Sequence, residues 1–124
     1  EAFQKMLTLD GFNPALYAQN IEKLIGPNGV WSDLRDNVAT HQRLTDAALS
    51  HNTLDRLVSI QAPTLVMHNG LDFITAPRLT MPVEQNISGA EGYWMRNAAH
   101  VVTGREARIE FCNVLLNFLE KHSG

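Results

Sequence analysis

A single cysteine, Cys112, occurs in 124 residues, which excludes an internal disulfide and any cysteine-based metal cluster. It falls among apolar residues of a predicted C-terminal helix and reads as core, not as a nucleophile. Long apolar runs are absent, so no segment reads as a transmembrane helix, and the 44% hydrophobic content suits a soluble domain or part of one. The formal charge of −3 is spread along the chain. It leaves neither a basic cluster for nucleic acid nor a polybasic amphipathic stretch for a membrane surface. No His-x-x-x-His pair or similar ligand spacing appears, so neither a metal nor a cofactor is expected. No signal peptide or targeting motif is visible, and the default expectation is a cytoplasmic setting. The first residue is Glu1, not methionine, and the chain reads as a fragment, a processed product or a trimmed polypeptide.

Two halves differ in pattern. Asn13-Pro14 supplies a cap and a first helical proline, and Leu16, Tyr17, Ile21, Leu24 and Ile25 recur at helical spacing up to Gly26-Pro27-Asn28-Gly29. Ser32 or Asp33 caps a second predicted helix, with Leu34, Val38, His41, Leu44 and Ala48 as its stripe, ending near His51-Asn52. A short helical turn follows over residues 53–59. The composition changes at Ile60. Thr64 to Met67 is apolar enough for a strand buried on both faces, as parallel strands are. Thr75-Ala76-Pro77 opens a helix to about Ile87, which Pro82 should bend or shorten. Ser88-Gly89-Ala90 is a return turn, and Gly92 to Met95 is a second strand. Of Tyr93 and Trp94, which alternate along it, one should face the core. Arg105 to Lys121 is the last helix, with Ile109, Phe111, Cys112, Leu115, Leu116 and Leu119 on a broad apolar face. Strand, helix, strand, helix is the pattern of a parallel sheet with right-handed crossovers.

Asp72 closes a Gly-containing turn just past the first strand, and His100 closes a small-residue loop just past the second. Parallel neighbours place both loops at one sheet edge, where α/β enzymes build their sites. With strands about 4.8 Å apart, the carboxylate and the imidazole come within hydrogen-bonding reach. That is the acid and base of a Ser-His-Asp system without its nucleophile.

Residues 54–121 resemble the C-terminal part of an α/β-hydrolase. The matching pieces are Leu57-x-x-Ile60-x-Ala62-Pro63-Thr64-Leu65-Val66, Gly70-Leu71-Asp72-Phe73-Ile74-Thr75, Ile87-Ser88-Gly89-Ala90-Glu91, Ala98-Ala99-His100, and Phe111 to Leu119. The resemblance implies that Asp72 is the triad acid and His100 the general base. It also implies that 13–52 form the helical cap or lid many of these enzymes insert, so the chain divides into a cap segment, 1–52, and a core segment, 53–124. The fold class implied is α/β, the C-terminal portion of the hydrolase fold preceded by its cap. One departure is large: no serine among Ser32, Ser50, Ser59, Ser88 and Ser123 sits in a Gly-x-Ser-x-Gly turn. The nucleophile, the oxyanion donors and most of the sheet are then expected upstream of Glu1. The partners expected are that missing N-terminal half, as a separate chain or the same precursor, and a small-molecule substrate, with a homo-oligomer possible.

Several residues carry plainer readings beside the functional ones. Asp72 also fits as the cap of the following helix, and His100 as an ordinary loop histidine. His68 reads as a packed or hydrogen-bonded structural histidine. Phe73, Val101 and Trp31 are candidates for the substrate wall, although aromatic and aliphatic residues at such positions more commonly pack. The activity expected is hydrolysis of a small ester, lactone or related acyl compound. Alternatives are an epoxide hydrolase or dehalogenase type with an aspartate nucleophile, a non-catalytic binding or regulatory member of the fold, and a helical interaction fragment without a site.

Overall fold

The computed structural model describes residues 10–28 and 38–123. Trp31, Leu34 and the predicted caps Ser32 and Asp33 lie outside the described residues. In chain order the elements are helices α1 (Pro14–Gln19), α2 (Ile21–Ile25) and α3 (Val38–Ser50), a 3-10 turn (Leu54–Ser59), strand β1 (Leu65–Asn69), helix α4 (Pro77–Asn86), strand β2 (Glu91–Met95) and helix α5 (Arg105–Lys121).

The first predicted helix is two. Asn13 caps α1, its side chain accepting from Ala15 N at 3.0 Å, and Pro14 takes the first helical position, where no donor is needed. Asn20 ends it: the amide Nδ2 donates to the Leu16 carbonyl at 2.9 Å, and the backbone leaves the helix at φ −127°, ψ 20°. A short amide side chain competes here with the helical ladder, and helical periodicity alone does not register that. Tyr17 and Leu24 are the buried members of this pair of helices, and Ile21 is exposed.

β1 and β2 pair in parallel, Leu65 opposite Glu91 through Asn69 opposite Met95. The fold is mixed α/β with a small parallel two-stranded sheet. α4 is the crossover between the strands, and it continues through Pro82 to Asn86. The proline removes the donor to the carbonyl of Arg78, an exposed residue, and does not end the helix. β1 is less covered than its apolar sequence predicts: Leu65, Val66 and Met67 are half-buried, and only His68 is fully enclosed. Among the described residues β1 has a strand neighbour on one side alone. Met95, Ala98 and Ala99 form the buried end of the second strand and its loop. Tyr93 turns toward α5 and donates its hydroxyl to Glu110 at 3.1 Å, which, with the carboxylate's charge, pushes the phenol above its ordinary value.

Cys112 corrects an expectation, since it is exposed and not core. α5 offers a wider apolar face than β2 can cover. Phe111 and Leu115 are half-buried, while Ile109, Leu116 and Leu119 are about half exposed.

His68 is the polar centre of the packing. Its ring is 0% exposed, with Nδ1 2.7 Å from the Thr80 hydroxyl and Nε2 2.5 Å from a Glu84 carboxylate oxygen. The Trp94 ring covers it, centroids 4.9 Å apart. Both partners stand one turn apart on α4, so the histidine ties the crossover helix to β1. Gly92, beside Trp94 on β2, makes room for this: a Cβ there would collide with the Glu84 carboxylate. A carboxylate at the end of a flexible side chain can swing away, so Gly92→Ala is expected to cost the His68–Glu84 bond and not the fold, about 1–3 kcal/mol. In a Glu84→Ala background the same change should cost much less, and a double-mutant cycle from denaturant unfolding measures the difference.

Candidate functional site

Both strands run in one direction, so their C-terminal loops emerge together. Backbone bonds then lace the loops: Gly70 N donates to Met95 O at 3.0 Å and Leu71 N to Ala98 O at 2.9 Å. The Asn69 amide adds a side-chain bridge to Ala99 O at 2.9 Å. Gly70 is required by close approach, because a Cβ there would stand 2.6 Å from the Arg96 carbonyl oxygen. Unlike the carboxylate over Gly92, this obstacle is backbone.

At the end of the laced loops, His100 Nδ1 lies 3.1 Å from Asp72 Oδ2. Asp72 is 6% exposed, and the imidazole keeps 39% of its surface open. The carboxylate divides its work. Oδ1 accepts the backbone N–H groups of Ile74 at 2.9 Å and Thr75 at 2.7 Å. Oδ2 accepts the Thr75 hydroxyl at 2.7 Å and faces the imidazole. The capping and imidazole-orienting readings of Asp72 therefore coexist, one on each oxygen. What it caps is its own turn, since the N-cap of α4 is Ala76 and has no side-chain bond.

Burial pushes the Asp72 carboxyl upward. The Thr75 hydroxyl and backbone bonds, with those from His100 and Ile74, outweigh it and hold the group below its ordinary 3.8. An ionised carboxylate only accepts, and the Thr75 proton is committed to Oδ2. The proton of the 3.1 Å contact thus belongs to His100 Nδ1, and Nε2 has no hydrogen-bond partner among the described residues.

The other predicted residues fall unevenly. Phe73 follows Asp72 and is 68% exposed. Val101 follows His100 and donates its N–H to Gly11 O at 2.7 Å. A Cβ on Gly11 would stand 3.6 Å from Ile74 and 3.8 Å from Val101, so the N-terminal segment lies against both dyad loops. Asn13 reinforces this contact through Nδ2 to Asn97 O at 2.9 Å. Trp31 lies outside the described residues. A cleft of about 540 Å³ between β2 and α5 is lined by Tyr93, Ile109, Glu110 and Val114 among others, and includes neither Asp72 nor His100. It is the uncovered helix face, not the chemistry. Among the described residues no group of three metal-ligating side chains comes together, and no helix is long and apolar enough to cross a membrane.

Thr75, Asn69 and Gly70 are the residues that sequence reasoning did not assign to the site. Thr75 was legible in principle, because an aspartate followed three residues later by a hydroxyl residue is a side-chain-capped turn.

Neither a protein-family model nor a curated protein matches the chain. A solved structure described as Est816, an N-acyl homoserine lactone degrading enzyme, is similar with a TM-score of 0.61 and 26% identity. The similarity covers 91% of this chain and 44% of that one, so the chain spans less than half the length of this hydrolase neighbour.

Two outcomes follow from the geometry. Because the folded Asp72 carboxyl titrates below 3.8, its stabilisation is complete above that pH and is lost as pH falls through the lower folded value. Asp72→Asn should flatten this part of the stability–pH curve, measured by denaturant midpoints. Gly70→Ala should push the two loops apart and cost about 1–3 kcal/mol, with loss of the Asp72–His100 hydrogen bond visible in the His100 ring resonances.

Proposed function

We propose that this chain is the C-terminal portion of an α/β-hydrolase-fold enzyme that opens small lactones or related esters, with Asp72 and His100 as acid and base of a Ser-His-Asp triad. The observation that carries the reading is the 3.1 Å contact from Asp72 Oδ2 to His100 Nδ1 at the shared strand edge, with Nε2 without a hydrogen-bond partner among the described residues. Similarity to a lactone-degrading enzyme supports the substrate class.

His100 Nε2 takes the proton of a nucleophilic hydroxyl as that oxygen attacks the carbonyl, then returns it to the leaving alkoxide. Water repeats the cycle on the acyl-enzyme. Asp72, itself buried, keeps the ring in the working tautomer and stabilises the imidazolium. The nucleophile comes from polypeptide outside this chain. The hydroxyls of Ser50, Ser59 and Ser123 each donate to the carbonyl three residues back, at 3.0, 2.7 and 3.1 Å. The same outside polypeptide covers the apolar side of α5, where Ile109, Leu116 and Leu119 stand open. Residues 1–52 serve as cap over residues 53–124, and Phe73, Val101 and Trp31 line the substrate wall.

The test is hydrolysis of N-acyl homoserine lactones and a p-nitrophenyl ester by the polypeptide assembled with its nucleophile-bearing part. Turnover should fall by roughly 10⁶-fold in His100→Ala and roughly 10⁴-fold in Asp72→Ala. Turnover unchanged by His100→Ala, or no turnover with no labelling by a fluorophosphonate, would contradict the proposal and favour a binding role.

A further inference from the structure

We propose that Thr75 is a positioning residue for the base: its hydroxyl shares Asp72 Oδ2 with His100 and pins the imidazole ring in its working orientation. This rests on the catalytic reading of Asp72 and His100. Three polar atoms form a closed triangle, with Thr75 Oγ1 2.7 Å from Asp72 Oδ2, Asp72 Oδ2 3.1 Å from His100 Nδ1, and His100 Nδ1 3.2 Å from Thr75 Oγ1. A hydroxyl has one proton and two lone pairs. The short side of the triangle is the charge-assisted one, so the proton goes to the carboxylate. The lone pairs of the same oxygen then face Nδ1–H, which donates to two acceptors at almost equal range. A ring held by two acceptors has less freedom to rotate than one held by a single oxygen, and Nε2 is correspondingly fixed.

Backbone support is separate. Oδ1 is satisfied by the Ile74 and Thr75 N–H groups, which any side chain at position 75 retains. Thr75→Val therefore removes the hydroxyl while keeping the β-branched shape and the turn. The titratable groups in the triangle are Asp72 and His100. Among the described residues the charged groups beside it are Arg78 and Glu84 on α4, Arg96 in the loop that leads to His100, and Asp10 before Gly11, and none of them is an ion-pair partner of the dyad. A change in the titration of Asp72 in Thr75→Val thus reports the lost hydroxyl.

The experiment compares Thr75→Val and Thr75→Ser with the unaltered protein, assembled with its nucleophile-bearing part. Carbon-13 titration of the Asp72 carboxyl should show its midpoint rising by about one pH unit in Thr75→Val and returning in Thr75→Ser. In the same samples kcat should fall about tenfold in Thr75→Val with KM unchanged, and Thr75→Ser should restore it. An unmoved Asp72 midpoint would overturn the hydroxyl's bond to the carboxylate. A moved midpoint with unchanged kcat would overturn the positioning role while leaving the hydrolase reading intact, provided His100→Ala still abolishes turnover. If His100→Ala leaves turnover unchanged, the hydrolase reading fails and this role fails with it.

Discussion

Parallel pairing of two five-residue strands is the constraint on which the site depends. An antiparallel pair would send the loops after Asn69 and Met95 to opposite edges of the sheet, and no side-chain choice could reunite them. Running parallel, the strands deliver both loops to one edge, and the crossover helix α4 is what that direction demands. His68 holds the crossover in place from below, gripping Thr80 and Glu84 while Trp94 covers its ring. Gly70 and Gly92 are needed for the closeness of this arrangement. One lets a loop approach the Arg96 carbonyl, and the other admits a carboxylate over the sheet.

Within that frame a single carboxylate does two jobs without conflict. One oxygen of Asp72 saturates the backbone donors of its own turn, and the other meets an imidazole and a hydroxyl. Burial raises the energy of the charged form, and the hydrogen bonds lower it by more. The outcome is a buried anion that stays ionised and fixes where the proton on His100 resides. Chemistry at Nε2, as proposed, depends on this anion more than on any property of the imidazole alone.

The strands, the crossover and the meeting of Asp72 with His100 were legible in the sequence. Each rests on a short-range signal: an apolar run, a turn residue, or a small-residue loop at the strand end. The features not legible depend on partners distant in the chain or on side-chain competition with the backbone. Asn20 breaks a helix whose apolar spacing continues past it. Cys112 sits in an apolar helix yet faces outward, because helical periodicity marks a face without saying how much of it is covered. Full burial of β1 was expected over Thr64 to Met67 and is reached only at His68, where α4 and Trp94 close over the strand. Thr75 is a different case: it read only as the start of a helix, although its spacing from Asp72 allows the bond its hydroxyl makes to the carboxylate three residues earlier.

The most direct measurement is the tautomer of His100, read from nitrogen-15 shifts of its ring near neutral pH. In the neutral ring the geometry places the proton on Nδ1 and the lone pair on Nε2, with that preference weakened in Asp72→Asn. A ring protonated on Nε2 alone, or one indifferent to Asp72→Asn, would mean that the carboxylate does not orient the imidazole, and the catalytic account would fall.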